Sequence, residues 1–309
     1  MTTLYLTHPA ALEHGTPAGH PERADRIRAI ERALEAERFA PLLREQAPLA
    51  EADAVTRVHP QAYLRALQAA APREGLRQID GDTVLSPGSI EAALRAAGAA
   101  TQAVDEVFER KVVNAFAAMR PPGHHAETAR AMGFCLFNNA AIAARHAQAV
   151  HGAERVAVVD WDVHHGNGTQ DIFWSDPSVM YCSTHQMPLY PGTGALHERG
   201  DHGTIVNAPL RGGDDGAVFK EAFRSVILPR LRDFAPDLVV VSAGFDAHWR
   251  DPLASLQLTE ADFAWATSHL MEIAFKHCDG RLVSLLEGGY DLEGLSRSVA
   301  AHVSALMGH

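Results

Sequence analysis

The sequence is poor in cysteine and in long apolar runs, and each shortage excludes a class of protein. The three cysteines stand far apart in 309 residues and form no C-x-x-C pair. A disulfide framework and a cysteine-bound structural zinc are therefore not expected, and the thiols are taken as reduced. No apolar run reaches the roughly 18 residues of a membrane span, and no leader-like segment follows Met1. We predict a cytoplasmic chain without a membrane segment.

Basic residues are also scarce relative to acidic ones. The chain has 27 Lys and Arg against 38 Asp and Glu, which gives a formal net charge of −11, and no basic run occurs. Because nucleic-acid-binding surfaces usually carry clustered Lys and Arg, we expect no direct nucleic-acid binding. The acidic balance is typical of a solvated surface and leaves open a cationic substrate or partner.

The chain does have the composition of a globular enzyme, with 47% hydrophobic residues and 24 glycines. Apolar, β-branched segments alternate with amphipathic ones, which predicts an α/β fold with a mainly parallel sheet and helices on both faces. No linker or repeat interrupts the pattern, so we predict one domain over residues 1–309. The helix expected over 216–234 should bend near Pro229, and Thr259 with Asp262 should form a capping box.

The stretch Arg155–Thr169 shows the strongest functional pattern. An apolar segment, Val156–Val159, predicts a buried strand, and Asp160, Asp162 and His164 follow it at alternate positions. If the extended conformation continued, these three side chains would point to one face. Carboxylates that lie close together in a partly buried place repel each other and need compensation. The pattern therefore predicts half of a metal site.

Three other predicted strands end in glycine-containing loops that carry polar side chains. His124 and His125 follow one strand, Asp246 follows another and Tyr290 follows the last. Because ligands bind beyond the carboxyl ends of parallel strands, all four loops should meet at one edge of the sheet. His185, which stands in a predicted loop with His197 and His202, is expected at the surface.

These loops contain the parts of a hydrolytic site. Asp246 is either a turn residue or a third metal ligand, and three ligands with one open position are typical of a catalytic zinc. A carboxylate partner raises the pKa of a histidine and an amide partner leaves it lower, so Asp160 and Asn167 would separate the roles of the two adjacent histidines. Tyr290 could donate to a substrate carbonyl. No nucleophilic Ser or Cys is apparent, so we predict direct attack of water on an amide or ester.

Five ordered segments resemble the zinc-dependent histone deacetylase superfamily, in its class II form and the related bacterial amidohydrolases. The segments are R-P-P-G-H-H-A-E at 120–127, G-F-C-L-F-N-N at 133–139, V-D-W-D-V-H-H-G-N-G-T at 159–169, S-A-G-F-D at 242–246 and L-E-G-G-Y at 286–290. The resemblance implies the arginase/deacetylase fold, with eight strands in the central sheet. It implies zinc-dependent removal of acetyl or other acyl groups from lysine side-chain amides, which are linear amides.

The resemblance also implies a role for individual residues. By this resemblance, Asp162, His164 and Asp246 would bind zinc, His125 would be the general acid–base residue, and His124 would be its electrostatic partner. Asp160 and Asn167 would be the partners of these two histidines, and Tyr290 would polarise the substrate carbonyl. The resemblance also implies that Asp160 and Ser183 help to hold a structural potassium ion and that Gly133 and Phe134 line the acyl-lysine tunnel. Arg23 would lie near the inner product-release cavity.

Three positions depart from the family pattern or leave it open. Tyr190 stands where the tunnel usually has a second Phe, and the substrate-backbone aspartate is either Asp80 or, as we prefer, Asp82. Leu253 stands where polyamine-selective relatives carry an acid, which favours acyl-lysine over acetylpolyamine. Small acyl amides remain the alternative substrates, and a homo-oligomer is possible. A binuclear manganese ureohydrolase would need a D-x-H-x-D cluster, which is lacking, and a non-enzymatic acyl-binding module would need a broken catalytic set.

Overall fold

The computed structural model describes residues 1–309 and contains ten strands and eleven α-helices. The strands are β1 Thr3–Thr7, β2 Leu43–Gln46, β3 Arg77–Gln78, β4 Val84–Leu85, β5 Asn114–Ala117, β6 Val156–Asp160, β7 Val179–Gln186, β8 Ile205–Leu210, β9 Leu238–Ala243 and β10 Leu282–Leu286. The helices are α1 Ala10–Glu13, α2 Asp25–Ala33, α3 Ala52–Thr56, α4 Gln61–Ala70, α5 Ser89–Phe108, α6 Asn139–His151, α7 Asn167–Phe173, α8 Gly216–Ala222, α9 Leu228–Phe234, α10 Glu260–His277 and α11 Leu292–Met307.

Eight strands form one sheet in the order β2-β1-β5-β10-β9-β6-β7-β8. Every neighbouring pair in this sheet is parallel. All residues of β6, β9 and β10 are buried, as expected where helices cover both faces of a parallel sheet. The predicted fold class is confirmed. The segment between α4 and α5 contains a small antiparallel hairpin of β3 and β4.

The four strands whose ends carry the predicted site are the four adjacent strands β5, β10, β9 and β6. Asp160 at the end of β6 pairs with Ser242 of β9, and Leu286 of β10 pairs with Ala243 of β9. The loops that follow these strands therefore leave the sheet side by side. This topology brings together segments that are more than a hundred residues apart in the sequence.

The predicted capping box is confirmed, and the helix predicted over residues 216–234 is interrupted where a bend was expected. Thr259 and Asp262 form a complete capping box at the start of α10. A π-helical turn, Phe223–Ile227, separates α8 from α9 just before Pro229, which has no backbone N–H to continue the helical ladder.

The hydrophobic core is one cluster of 86 buried residues that reaches from Leu4 to Met307. It includes the apolar residues of the central strands and the inner faces of α5, α10 and α11. None of the helices combines the length and hydropathy that crossing a membrane requires. Because the core packs helices against both faces of the sheet, it holds the ends of the central strands in place.

Candidate functional site

The chain turns sharply after β6, so the expected continuation of the extended conformation is wrong. β6 ends at Asp160, and the next residues form a bend. Backbone N–H groups of this bend donate to carboxylates: Asp162 N to Asp160 Oδ1 at 3.1 Å, Val163 N to Asp246 Oδ1 at 2.8 Å and His164 N to Asp162 Oδ1 at 2.9 Å. Buried N–H groups need such partners. The bend still directs Asp162 and His164 towards one point.

Asp162, His164 and Asp246 form a compact cluster of metal-ligating side chains. One donor atom from each lies within 4.8 Å of the others, and all three residues are buried. His164 Nδ1 is 3.1 Å from both Asp162 Oδ1 and Asp246 Oδ2. A single ring nitrogen carries at most one proton and cannot donate to both, whereas a divalent cation would satisfy all three groups. The residues therefore fit a metal ion.

Glycines and buried charge shape this cluster. A Cβ at Gly244 would collide with the Asp162 carboxylate, and one at Gly288 would collide with the Asp246 carboxylate. Gly288 N also donates to Asp162 Oδ2 at 2.8 Å. Burial, together with the charge of Asp162, raises the pKa of Asp246 to about 6. The two carboxylates thus repel each other, which favours a cation between them.

The two adjacent histidines have different partners. His124 Nδ1 is 2.9 Å from Asp160 Oδ2, and His125 Nδ1 is 2.8 Å from Asn167 Oδ1. Because an amide oxygen only accepts, His125 carries its proton on Nδ1 and presents an unprotonated Nε2. The ring centroids of the two histidines are 4.0 Å apart. Both side chains are buried.

The surroundings move the pKa values of these histidines in opposite directions. Burial would lower the pKa of His124, but the charges of Asp160, Asp162 and Glu287 raise it well above its ordinary value. Burial and the neighbouring positive charge of His124 hold the pKa of His125 well below its ordinary value. At neutral pH the pair therefore combines one imidazolium with one neutral imidazole.

Glu287 is a site residue that the sequence analysis missed. Its Oε2 accepts from the backbone N–H groups of Gly123 at 2.6 Å and His124 at 3.1 Å, and Ser242 Oγ donates to its Oε1 at 3.0 Å. This buried carboxylate ties the histidine loop to the ends of β9 and β10. Its position in the segment L-E-G-G-Y, directly after a buried strand, was the available signal.

Arg26, and not Arg23, contacts the tyrosine loop, which corrects the expectation for Arg23. Arg23 precedes α2, is exposed and pairs with Asp25. Arg26 is the second residue of α2 and is fully buried. Its guanidinium lies 5.0 Å above the ring of Tyr290, and its Nε donates to Gly289 O at 2.7 Å. Arg26 therefore anchors the loop that carries Tyr290 through its contacts with Gly289 and the Tyr290 ring.

A cavity of about 210 Å³ leads from the surface to this cluster. Its lining contains Asp82, Pro122, His124, His125, Gly133, Phe134, His164, Leu189, Tyr190, Leu253, Gly288 and Tyr290. The Tyr190 ring packs edge-on against His125 at 5.1 Å, and the Phe134 ring packs edge-on against Tyr290 at 6.1 Å. Gly133 has φ of 57°, and a Cβ there would collide with the His125 ring. All five sequence-predicted substrate residues therefore line one narrow passage.

The structure distinguishes the two candidate aspartates at the rim. Asp82 lines the cavity and accepts from Gly133 N at 3.0 Å and from Thr83 Oγ1 at 2.7 Å. Asp80 is directed towards Arg130, whose guanidinium lies 3.4 Å away. Only Asp82 is thus positioned beside the passage.

Ser183 lies next to Asp160 on the neighbouring strand β7, as the strand register shows. Its Oγ is 2.8 Å from His185 Nδ1, and His185 Nε2 is 2.9 Å from Gly194 O. The expected surface position of His185 is wrong, because β7 continues through His185 to Gln186 and buries the ring. Burial lowers the pKa of His185 to about 4. His197 and His202 are exposed, as expected.

The sequence matches the histone deacetylase domain family over residues 20–306. The chain belongs to this family. It is 42% identical over 325 aligned residues to "Histone deacetylase 10, chloroplastic" of Oryza sativa subsp. japonica, covering 99% of this chain and 73% of that protein. It is 40% identical over 278 residues to the "Histone deacetylase-like amidohydrolase" of Pseudomonas aeruginosa, covering 88% of this chain and 73% of that protein.

A solved structure of the same family has the same fold. The crystal structure of the HDA15 HD domain superimposes with a TM-score of 0.94 at 39% sequence identity, covering all of this chain and 90% of that one. The identity and the near-complete overlap support a hydrolase of the deacetylase type. The resemblance inferred from the five sequence segments is therefore confirmed at the level of family and fold.

Proposed function

We propose that this chain is a zinc-dependent deacylase that hydrolyses the side-chain amide of acetyl-lysine and related acyl-lysines. The observation that carries the proposal is the cluster of Asp162, His164 and Asp246 at the end of a narrow cavity that also contains His125 and Tyr290. Three ligands at one end of a passage leave room for substrate and water. Small acyl amides are the alternative substrates.

Asp162, His164 and Asp246 would hold the zinc ion, which supplies a Lewis acid for the carbonyl and for water when it is bound. His125 Nε2 would accept a proton from the attacking water and then deliver it to the leaving amine. His124, held as an imidazolium by Asp160, would stabilise the negative charge that develops. We further propose that Asp160 and Ser183 contribute to a structural potassium site, since they are neighbours on β6 and β7.

Tyr290 would donate its phenol proton to a hydrogen bond with the substrate carbonyl oxygen. Burial and the charge of Asp246 raise the pKa of Tyr290 well above its ordinary value, so the hydroxyl stays protonated. Tyr290→Phe should therefore lower kcat by about 10²–10³-fold with little change in KM, the range for loss of one donor to a developing oxyanion. Steady-state kinetics on an acetyl-lysine peptide measure this. A Tyr290→Phe enzyme with the kcat of the parent would remove Tyr290 from the mechanism.

Asn167 should set the pH at which His125 becomes active. Asn167→Asp would place a carboxylate against His125 Nδ1, at 2.8 Å in the parent, and would raise the pKa of His125. Because the base must be neutral, the acidic limb of the kcat/KM profile should move up by about 1–3 pH units. Glu127 faces Asn167 Nδ2 at 2.8 Å, so Glu127→Gln in both backgrounds controls for carboxylate repulsion. An unmoved acidic limb would contradict this role of Asn167.

The passage itself favours a neutral, extended acyl-lysine chain. Phe134 and Tyr190 form its aromatic walls, and Leu253 lies at its mouth and is partly exposed. Asp82 has one carboxylate oxygen engaged by Gly133 N, and its other oxygen could accept from a substrate backbone N–H. The acidic Asp82 at the rim is the one feature that favours a cationic acetylpolyamine instead.

Comparing substrates tests the proposal directly. The purified zinc enzyme is assayed with an acetyl-lysine peptide, acetylspermidine and acetylputrescine, and we expect the highest kcat/KM for the peptide. Leu253→Glu should shift the preference towards the polyamines, and Leu253→Gln, which has similar size but no charge, should not. Turnover of the polyamines alone would favour the alternative substrate class, and turnover of none of the amides would overturn the proposed function.

A further inference from the structure

A second cluster of metal-ligating side chains lies between α5 and α6, outside the active site. His146 Nε2 and His151 Nε2, both on α6, lie 2.7 Å and 2.6 Å from the same atom, Asp105 Oδ1 on α5. Their donor atoms all lie within 4.8 Å of one another. The three residues are partly exposed, so an ion could enter from solvent.

This cluster is remote from the catalytic loops. α6 begins next to the site, where Asn138 Nδ2 donates to Ala126 O just after the two histidines. His146 and His151 are seven and twelve residues beyond Asn139, the first residue of α6. At about 1.5 Å per residue they lie about 10 and 18 Å along the helix axis, towards the opposite edge of the sheet.

We propose that Asp105, His146 and His151 bind a second divalent metal ion, Zn²⁺, which links α5 to α6. Two imidazoles and one carboxylate are a common protein ligand set for zinc, and solvent would complete a four-coordinate site. A bound ion would replace the two short N–H to carboxylate contacts with bonds to a common centre. The inference is independent of the proposed deacylase function.

Neighbouring groups fix the orientation of His151 and the charge state of Asp105, two of the three proposed ligands. The His151 ring is stacked on Phe108, with centroids 4.7 Å apart and planes at 12°, which fixes its orientation. Partial burial acts to raise the pKa of Asp105, but the hydrogen bonds from His146 and His151 outweigh it and the pKa is lowered. The carboxylate is therefore in its anionic, metal-binding form at neutral pH.

Arg57 is the one neighbour that opposes binding. Its Nη1 is 3.3 Å from His146 Nδ1, and because a guanidinium only donates, the His146 proton resides on Nε2 and points at Asp105. Binding a metal through Nε2 requires that proton to move to Nδ1 of the same ring. Arg57 must then turn away, and it has a partner ready in Asp53, with which it already forms an ion pair.

Metal stoichiometry tests the proposal without reference to turnover. Holoenzyme containing one zinc per chain is titrated with Zn²⁺ in a calorimeter and by equilibrium dialysis, and a second zinc should bind. The double variant His146→Ala/His151→Ala and the near-isosteric Asp105→Asn should lose only this second ion. His202→Ala, which removes an exposed histidine outside the cluster, should retain it. Co²⁺ added to the zinc-loaded enzyme should give the visible absorption of a four-coordinate cobalt ion with nitrogen and oxygen ligands. This absorption should appear only when the cluster is intact.

Arg57→Ala should bind the second zinc more tightly than the parent, because the competing guanidinium is gone. Circular dichroism establishes that each variant is folded. The proposal is overturned if the parent binds no second zinc at about 0.1 mM free Zn²⁺, a weak limit for three protein ligands. It is also overturned if the double variant binds the second ion as the parent does, or if Arg57→Ala does not tighten binding.

Discussion

Replacing His125 with alanine should lower kcat on an acetyl-lysine peptide by about 10²–10⁴-fold, the usual contribution of a general acid–base group. The substitution removes the unprotonated Nε2 that faces the cavity and leaves the three proposed zinc ligands in place. KM and zinc content should therefore stay near the parent values, and the loss should fall on kcat. Steady-state kinetics together with metal analysis of the same preparation measure both effects.

A second buried histidine provides the matched control. His302 is fully buried between Thr267 Oγ1 at 2.7 Å and Ser284 Oγ at 2.8 Å, in the packing of α10, β10 and α11. His302→Gln should lower the Tm while leaving kcat close to that of the parent, because its imidazole does not line the cavity. If His125→Ala and His302→Gln lose activity equally, the loss reflects instability, and His125 has no special chemical role.

The sequence was sufficient for the parts of the molecule that depend on local pattern. Buried strands with glycine-rich ends, and polar residues directly after them, predicted which loops would meet, because parallel strands expose their carboxyl ends at one edge. The structure adds that these strands are adjacent, in the order β5-β10-β9-β6. Adjacency is set by pairing between distant segments and has no local signature. It explains why Asp246 and Asp162, which are far apart in the sequence, share one site.

The residues that sequence reasoning missed or misplaced are those whose role depends on a distant partner. Glu287 and Arg26 are buried charges that bind backbone groups of other loops, and the local sequence does not show which distant groups these are. His185 was misplaced because β7 extends four residues beyond its apolar segment, Val179–Cys182. The bend after Asp160 was missed because side-chain carboxylates, including that of Asp246, satisfy its N–H groups.

Replacing Asp246 with asparagine should remove most of the tightly held zinc and lower kcat/KM at least about a thousandfold. Asparagine keeps the size of the side chain, and its carbonyl oxygen can still accept from Val163 N, at 2.8 Å in the parent, so the bend should survive. What is lost is one of the two anionic charges that face His164. A Lewis acid contributes several kcal/mol of transition-state stabilisation, and each 1.36 kcal/mol is about tenfold in rate.

Asp262→Asn is the matched control for Asp246→Asn, because it also neutralises a buried carboxylate. Asp262 caps α10, accepting from Thr259 N at 2.7 Å, and pairs with Lys220 at 2.6 Å, so its loss should lower the Tm without changing zinc content. Metal analysis after dialysis against chelator-treated buffer, followed by kinetics, separates the two variants. Full zinc content and activity in Asp246→Asn would exclude Asp246 as a ligand. Equal zinc loss in both variants would attribute the effect to unfolding.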